Sequence, residues 1–157
     1  DIAKTIGLDP RIGALFLNAG PGYGGSCLPK DMKALINFAD TIGINPTLLN
    51  AVEKINQKQI QNIVSLIEKT LGTLASKQIT VLGTAFKPNT DDIRDSIAIE
   101  LIKKLLKKKS RVTIYDPKAV KNTRNIFGEK IIYAGSIPDA LNKSQCAILM
   151  THWKQFE

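Results

Sequence analysis

The stretch Ile79-Thr80-Val81-Leu82-Gly83-Thr84-Ala85-Phe86-Lys87-Pro88-Asn89-Thr90-Asp91-Asp92-Ile93-Arg94 decides the fold. It opens on a short apolar, β-branched run that suits a buried strand, then breaks into a long polar loop. Ile97 to Lys109 follows as an amphipathic helix and Val112-Thr113-Ile114-Tyr115 as a second strand. Lys118 to Phe127 reads as a helix, Ile131-Ile132-Tyr133 as a short strand and Ile137 to Leu141 as a short helix. Cys146-Ala147-Ile148-Leu149-Met150 reads as a last, buried strand. This alternation predicts an α/β domain with a doubly wound, Rossmann-like parallel sheet. Ligands on such sheets bind beyond the carboxyl ends of the strands. Phe86 and Lys87, in the loop after the first strand, therefore stand at the expected ligand edge. Asp116-Pro117 also follows a strand. A ribose contact is one reading; a helix N-cap with proline at N1 is the simpler one.

Upstream of this domain the pattern is helical. Pro29 to about Ile42 places Met32, Leu35, Ile36 and Ala39 at helical spacing. Gly43-Ile44-Asn45-Pro46 interrupts it, with Asn45 as the expected N-cap of the next helix and Pro46 at N1. From there Leu48, Val52, Ile55, Gln59, Ile63, Ile67 and Leu71 trace one stripe. A helix over 46–71 would be about 39 Å long, more than a small domain buries. It predicts a spine between two regions or a self-association surface, and a homodimer through residues 46–71 is expected. The expected organisation is a helical dimerisation region over 1–75 with a long central helix, then the α/β domain over 76–157.

The chemistry points to a third stretch, Gly20-Pro21-Gly22-Tyr23-Gly24-Gly25-Ser26-Cys27-Leu28-Pro29-Lys30-Asp31. Its four glycines within six residues let the backbone turn tightly and approach a ligand closely. Cys27 sits just before a helix start, where the macrodipole favours a reactive thiolate. A small buried cysteine beside a glycine turn is the alternative, but Ser26, Lys30 and Asp31 make the surroundings polar. Asp31 falls one helical turn after Cys27, on the same face. It also suits the first turn of a helix as a stabilising carboxylate, and the two roles are compatible. Gly20-x-Gly22-x-x-Gly25 matches a dinucleotide fingerprint literally. Such a site needs a buried strand directly before the glycines, and Asp9-Pro10-Arg11 in the upstream segment argues against one.

The 157 residues are 43% hydrophobic, enough for a packed core, and no apolar run approaches a membrane span. The formal charge of +8 is carried almost wholly by the second half. Lys103, Lys104, Lys107, Lys108, Lys109 and Arg111 interleave with leucines and isoleucines on a helix. That pattern reads as a solvated helix face, and no nucleic-acid motif accompanies it. No metal-ligand set is assigned. The two cysteines lie in different settings, and a structural disulfide is not expected. His152 is read as a surface polar residue.

Residues 22–31 resemble the Gly-aromatic-Gly-Gly-Ser-Cys-x-Pro-Lys-Asp segment of the nucleotide-sugar 6-dehydrogenases, the UDP-glucose branch most closely. Leu82 to Ser96, Val112 to Ala119 and Thr151 to Phe156 match further blocks of that family in order. The resemblance implies a cytoplasmic enzyme that uses two NAD molecules to oxidise the sugar C6 alcohol to the acid. It implies that Cys27 forms a thiohemiacetal and then a thioester, and that Asp31 orders water. It assigns Phe16, Leu17, Gly22, Tyr23, Gly24 and Gly25 to the loop over the sugar and diphosphate. Phe86 and Lys87 become substrate contacts, and Arg11 reaches the substrate of a neighbouring subunit. Lys30 and Arg94 fall on the NAD side. NAD itself is expected mainly on an N-terminal domain not contained in this chain, which would then be an excised piece, inactive alone. The GDP-mannose and UDP-N-acetylmannosamine enzymes share the cysteine chemistry. A non-catalytic module for oligomerisation and nucleotide-sugar binding is the further alternative.

Overall fold

A computed structural model describes residues 1–14, 17 and 20–157. Three helices come first: α1 (Ile2–Ile6), α2 (Leu28–Thr41) and α3 (Thr47–Leu71). Then follow β1 (Gln78–Leu82), α4 (Ile97–Lys107), β2 (Arg111–Tyr115), α5 (Val120–Phe127), β3 (Ile132–Tyr133), α6 (Ile137–Leu141) and β4 (Cys146–Leu149). The sheet order is β3-β2-β1-β4 and every pairing is parallel. The chain winds from β1 outward to β3, then crosses back to the other side of β1. That reversal is the doubly wound topology expected above, with its switch point between β1 and β4.

β1 and β2 are buried through their centres, because layers cover both faces of the sheet. Ile79, Val81, Val112 and Ile114 share one core with Leu101, Ile102 and Leu105 of α4. Val64 and Ile67 of α3 enter the same core, with Ile60, Ile63 and Leu71 packed beside them. Lys108 reaches Glu68 at 2.6 Å, which ties the ends of α4 and α3 together.

Four expectations are corrected at this level. The apolar stripe of α3 divides. Ile67 is 5% exposed, inside the chain's own core, whereas Leu48 is 75% and Ile55 60% exposed. The exposed members of the stripe therefore lie in the first half of α3, and Leu66, off the stripe, is exposed in the second. Leu35 and Phe38 of α2, Ile42 just past its end and Ile44 are exposed as well. Asn45 is not the N-cap of α3. Pro46 takes that place at φ −84°, ψ 55°, and helical geometry starts at Thr47. β4 is an edge strand rather than a buried one. Ala147 and Leu149 face outward, and Cys146 is half-buried. Asp116 is not the N-cap of α5, a position held by Ala119.

What Asp116 does instead explains the ligand edge. The side chain is 2% exposed and accepts four backbone hydrogen bonds. Oδ1 takes the N–H groups of Lys118 and Ala119 at 2.9 and 2.7 Å. Oδ2 takes those of Thr84 and Ala85 at 2.7 and 3.1 Å. The carboxylate thus joins the turn after β2 to the loop after β1, and it has no oxygen left for a ribose. Ser96 donates to the Thr84 carbonyl at 2.7 Å and Thr151 to the Ala85 carbonyl at 2.5 Å. The loop that presents Phe86 is built on these buried bonds.

Candidate functional site

The glycine loop lies across the carboxyl edge of the sheet, at the switch point. A pocket of about 70 Å³ beneath it is walled by Pro21, Gly22 and Gly24 above and by Ala85, Ser96 and Thr151 below. A larger open cleft of about 570 Å³ adjoins it. Gly22, Tyr23, Gly24, Ser26 and Cys27 line one side of that cleft, and Phe86 and Lys87 the other. The Lys87 ammonium sits 5.4 Å from the Phe86 ring centre, a cation over an aromatic face. Gly25 has φ +88°, and a side chain there would meet the Phe86 ring at 2.6 Å. The loop touches the ring only because this residue is glycine.

Cys27 is the N-cap residue of α2, exposed, with Ser26 Oγ 3.7 Å from its sulfur. Its carbonyl accepts the Asp31 N–H at 2.9 Å, the first bond of the helix. Pro29 occupies the first turn, as its missing N–H allows. No strand precedes the glycines among the described residues, so the literal dinucleotide fingerprint has no dinucleotide fold around it. Asp31 is exposed beside Lys30 at 3.2 Å and lines a neighbouring apolar groove with Tyr23 and Leu28. Cys146 is free as well, and burial pushes its thiol up.

Other expected site residues lie apart from this cleft. Arg11 pairs with Asp9, which accepts from its Nε at 3.0 Å and from a terminal nitrogen at 2.6 Å, out in solvent. Arg94 forms the same fork with Asp92, and that pairing raises its already high pKa. Leu17 is half-buried, and Phe16 lies outside the described residues. His152 is on the surface, 3.1 Å from Glu157.

Three residues that hold the loop went unread in the sequence. Asn56 and Glu53, one turn apart on α3, both reach Tyr23. The Asn56 amide bonds both backbone groups of Tyr23, at 2.8 and 3.0 Å, and Glu53 accepts the phenol at 2.7 Å. The Asp95 carbonyl accepts the Gly25 N–H at 3.4 Å. Asp95 has φ +46°, a strained value for a residue with a side chain.

The phenol–carboxylate pair makes the loop's docking pH-dependent. Burial first, and Glu53 second, push Tyr23 from its ordinary 10 up to about 12. Hydrogen bonds from Tyr23 and then Gln57 hold Glu53 below its ordinary 4.5. A raised phenol stabilises the fold fully below pH 10 and stops doing so as pH climbs from 10 through about 12. A lowered carboxylate stabilises it above pH 4.5 and fades as pH falls below that value. Ultraviolet titration checks the alkaline arm. Tyr23→Phe is expected to remove the highest-pH phenol step, and an unchanged titration would contradict the pairing.

Fold and site together define a Rossmann-like α/β domain whose ligand edge is roofed by a cysteine-bearing loop from a helical region. Two models of one family match it. Residues 1–58 match the central domain of the UDP-glucose/GDP-mannose dehydrogenase family, and residues 80–157 match its UDP binding domain. The chain belongs to that family. It is 42% identical, over its whole length, to a UDP-glucose 6-dehydrogenase of Rickettsia felis. It is 45% identical over 99% of its length to one of Haloferax volcanii. It spans 36% of the length of each of these curated relatives. The UDP-glucose dehydrogenase structure from Pyrobaculum islandicum superimposes with a TM-score of 0.92 at 37% identity, over 99% of this chain and 36% of that one. A GDP-mannose dehydrogenase from Pseudomonas aeruginosa gives 0.80 at 26% identity, over 99% and 37%.

Proposed function

We propose that this chain supplies the nucleophile and the nucleotide-sugar seat of an NAD-dependent UDP-glucose 6-dehydrogenase. The observation that carries this reading is that Cys27 and the Phe86–Lys87 pair, far apart in sequence, line one cleft. The reaction converts the C6 alcohol of UDP-glucose to the acid of UDP-glucuronate, a loss of two hydrides. After the first, the Cys27 thiolate adds to the C6 aldehyde. A C–S bond forms and the carbonyl oxygen takes a proton. Loss of the second hydride from that carbon, with release of the hydroxyl proton, leaves a thioester. Water adds to it, the C–S bond breaks, and the thiolate and the acid separate. NAD is the hydride acceptor, consumed twice. Its main seat is assigned to another part of the enzyme, with Lys30 and Arg94 as this chain's charges on that side.

In this reading Asp31 orients the hydrolytic water. The backbone of Gly22 to Gly25, with Phe16, Leu17 and Tyr23, covers the sugar and diphosphate. Phe86 and Lys87 hold the substrate from below. Residues 1–75 carry the thiol and the dimer contact, and residues 76–157 the nucleotide. The dimer forms through the first half of α3 and the exposed apolar face of α2, and Arg11 turns toward the partner's substrate. An unpaired nucleophilic thiol suits a reducing cytoplasm. No helix among the described residues is long and apolar enough to cross a membrane.

Calorimetric titration of the chain tests the ligand. UDP-glucose is expected to bind, and GDP-mannose about tenfold more weakly. Tighter binding of GDP-mannose would move the protein to that branch. Binding of a duplex oligonucleotide at low and high salt alike, with no nucleotide-sugar bound, would overturn the reading.

A further inference from the structure

We propose that Asn56 is a positioning residue for the Cys27 thiol, holding the glycine loop against α3 by both backbone groups of Tyr23. The proposal rests on the reading of Cys27 as the nucleophile. Cys27 lies four residues beyond Tyr23, in a segment that would otherwise be free to turn at its glycines. The Asn56 Oδ1 atom accepts the Tyr23 N–H at 2.8 Å, and its amide nitrogen donates to the Tyr23 carbonyl at 3.0 Å. This two-point grip fixes both position and rotation, which one bond cannot do. Gly22 is shaped to the same contact. It has φ +117°, and a Cβ there would meet Asn56 Oδ1 at 2.4 Å. Glu53, one turn back on α3, anchors the Tyr23 ring through the phenol. From this anchor the loop runs to Gly25, which is held from the opposite side by the Asp95 carbonyl and rests on Phe86. Its last residue caps α2. Asn56 does not line the cleft. It acts on the chemistry only through the loop, by setting how far the sulfur stands from a sugar seated over Phe86.

Such placement is worth much in rate, because an ångström of misalignment costs about a hundredfold. In the enzyme carrying these residues, Asn56→Ala is expected to lower kcat for UDP-glucose about tenfold or more, with KM within about threefold. Asn56→Asp keeps the acceptor for the Tyr23 N–H and is expected to recover part of that loss. In the chain itself, amide hydrogen exchange over residues 20–27 is expected to quicken about tenfold in Asn56→Ala, while β1 and β2 stay protected. Unchanged kcat overturns the proposal. So does a fall in kcat without faster exchange at 20–27, since the effect would not then run through the loop. Ready iodoacetamide labelling of Cys146 in both variants also overturns it, by making Asn56 a residue of general stability. An unsubstituted enzyme that does not oxidise UDP-glucose sinks the proposed function instead. The exchange result then decides the loop alone: faster exchange confined to 20–27 keeps the grip of Asn56, and unchanged exchange removes it.

Discussion

Cys27→Ser, made in the enzyme that carries this chain, is expected to cut release of the acid product by about 10³-fold or more. A serine hydroxyl is scarcely ionised near neutral pH, whereas a thiol supplies a ready nucleophile there. The first hydride loss, from alcohol to aldehyde, does not call on the sulfur in the proposed scheme. NADH formed per sugar should therefore drop from two equivalents toward one, with the product arrested at the aldehyde level. Absorbance of NADH and mass spectrometry of the sugar read the two quantities together. Acid released by Cys27→Ser at the unsubstituted rate would remove the covalent intermediate from the mechanism.

Asp116→Ala is expected to be the most damaging single change to the fold, at about 3–5 kcal/mol. Four backbone N–H groups would lose their acceptor at once, in a place 2% exposed. Each buried, unpaired group costs roughly 1–3 kcal/mol, and entering water offsets part of the total. Asp116→Asn is expected to cost less, since its carbonyl oxygen can still serve one pair of donors. Urea unfolding followed by circular dichroism gives both numbers. A variant as stable as the parent but weaker for UDP-glucose would restore the ribose-contact reading and dismiss the structural one.

These two residues mark what a linear reading can and cannot reach. The exposed turn that places Cys27 at a helix start was legible because the glycines, Cys27 and Pro29 are neighbours in the chain. The strands and helices of the α/β part were legible for a similar reason, since each carries its own period and its own breaker. Asp116 was seen but misread. Asp-Pro after a strand looks like a helix cap, and nothing local reveals that the other oxygen serves Thr84 and Ala85. Asn56 and Glu53 left no signal, because polar residues on an amphipathic helix ordinarily face water. Only the docked Tyr23 backbone gives them a task. The stripe of α3 was visible as a stripe, but its division was not. Ile60, Val64, Ile67 and Leu71 form an overlapping apolar row, and the position of α4 decides which residues are covered. β4 carries the composition of a buried strand, yet its place at the sheet edge leaves Ala147 and Leu149 outside.

The central claim is that an accessible, nucleophilic Cys27 shares one cleft with a nucleotide-sugar seat. Brief iodoacetamide labelling of the folded chain, with mass spectrometry of the two cysteines, tests it most directly. Cys27 is exposed at a helix N-terminus, while Cys146 is half-buried in a strand and its thiol is pushed up by burial. Cys27 is expected to react well ahead of Cys146, and saturating UDP-glucose to slow Cys27 while leaving Cys146 as it was. Faster labelling of Cys146, or labelling of Cys27 that bound UDP-glucose does not slow, would contradict the account.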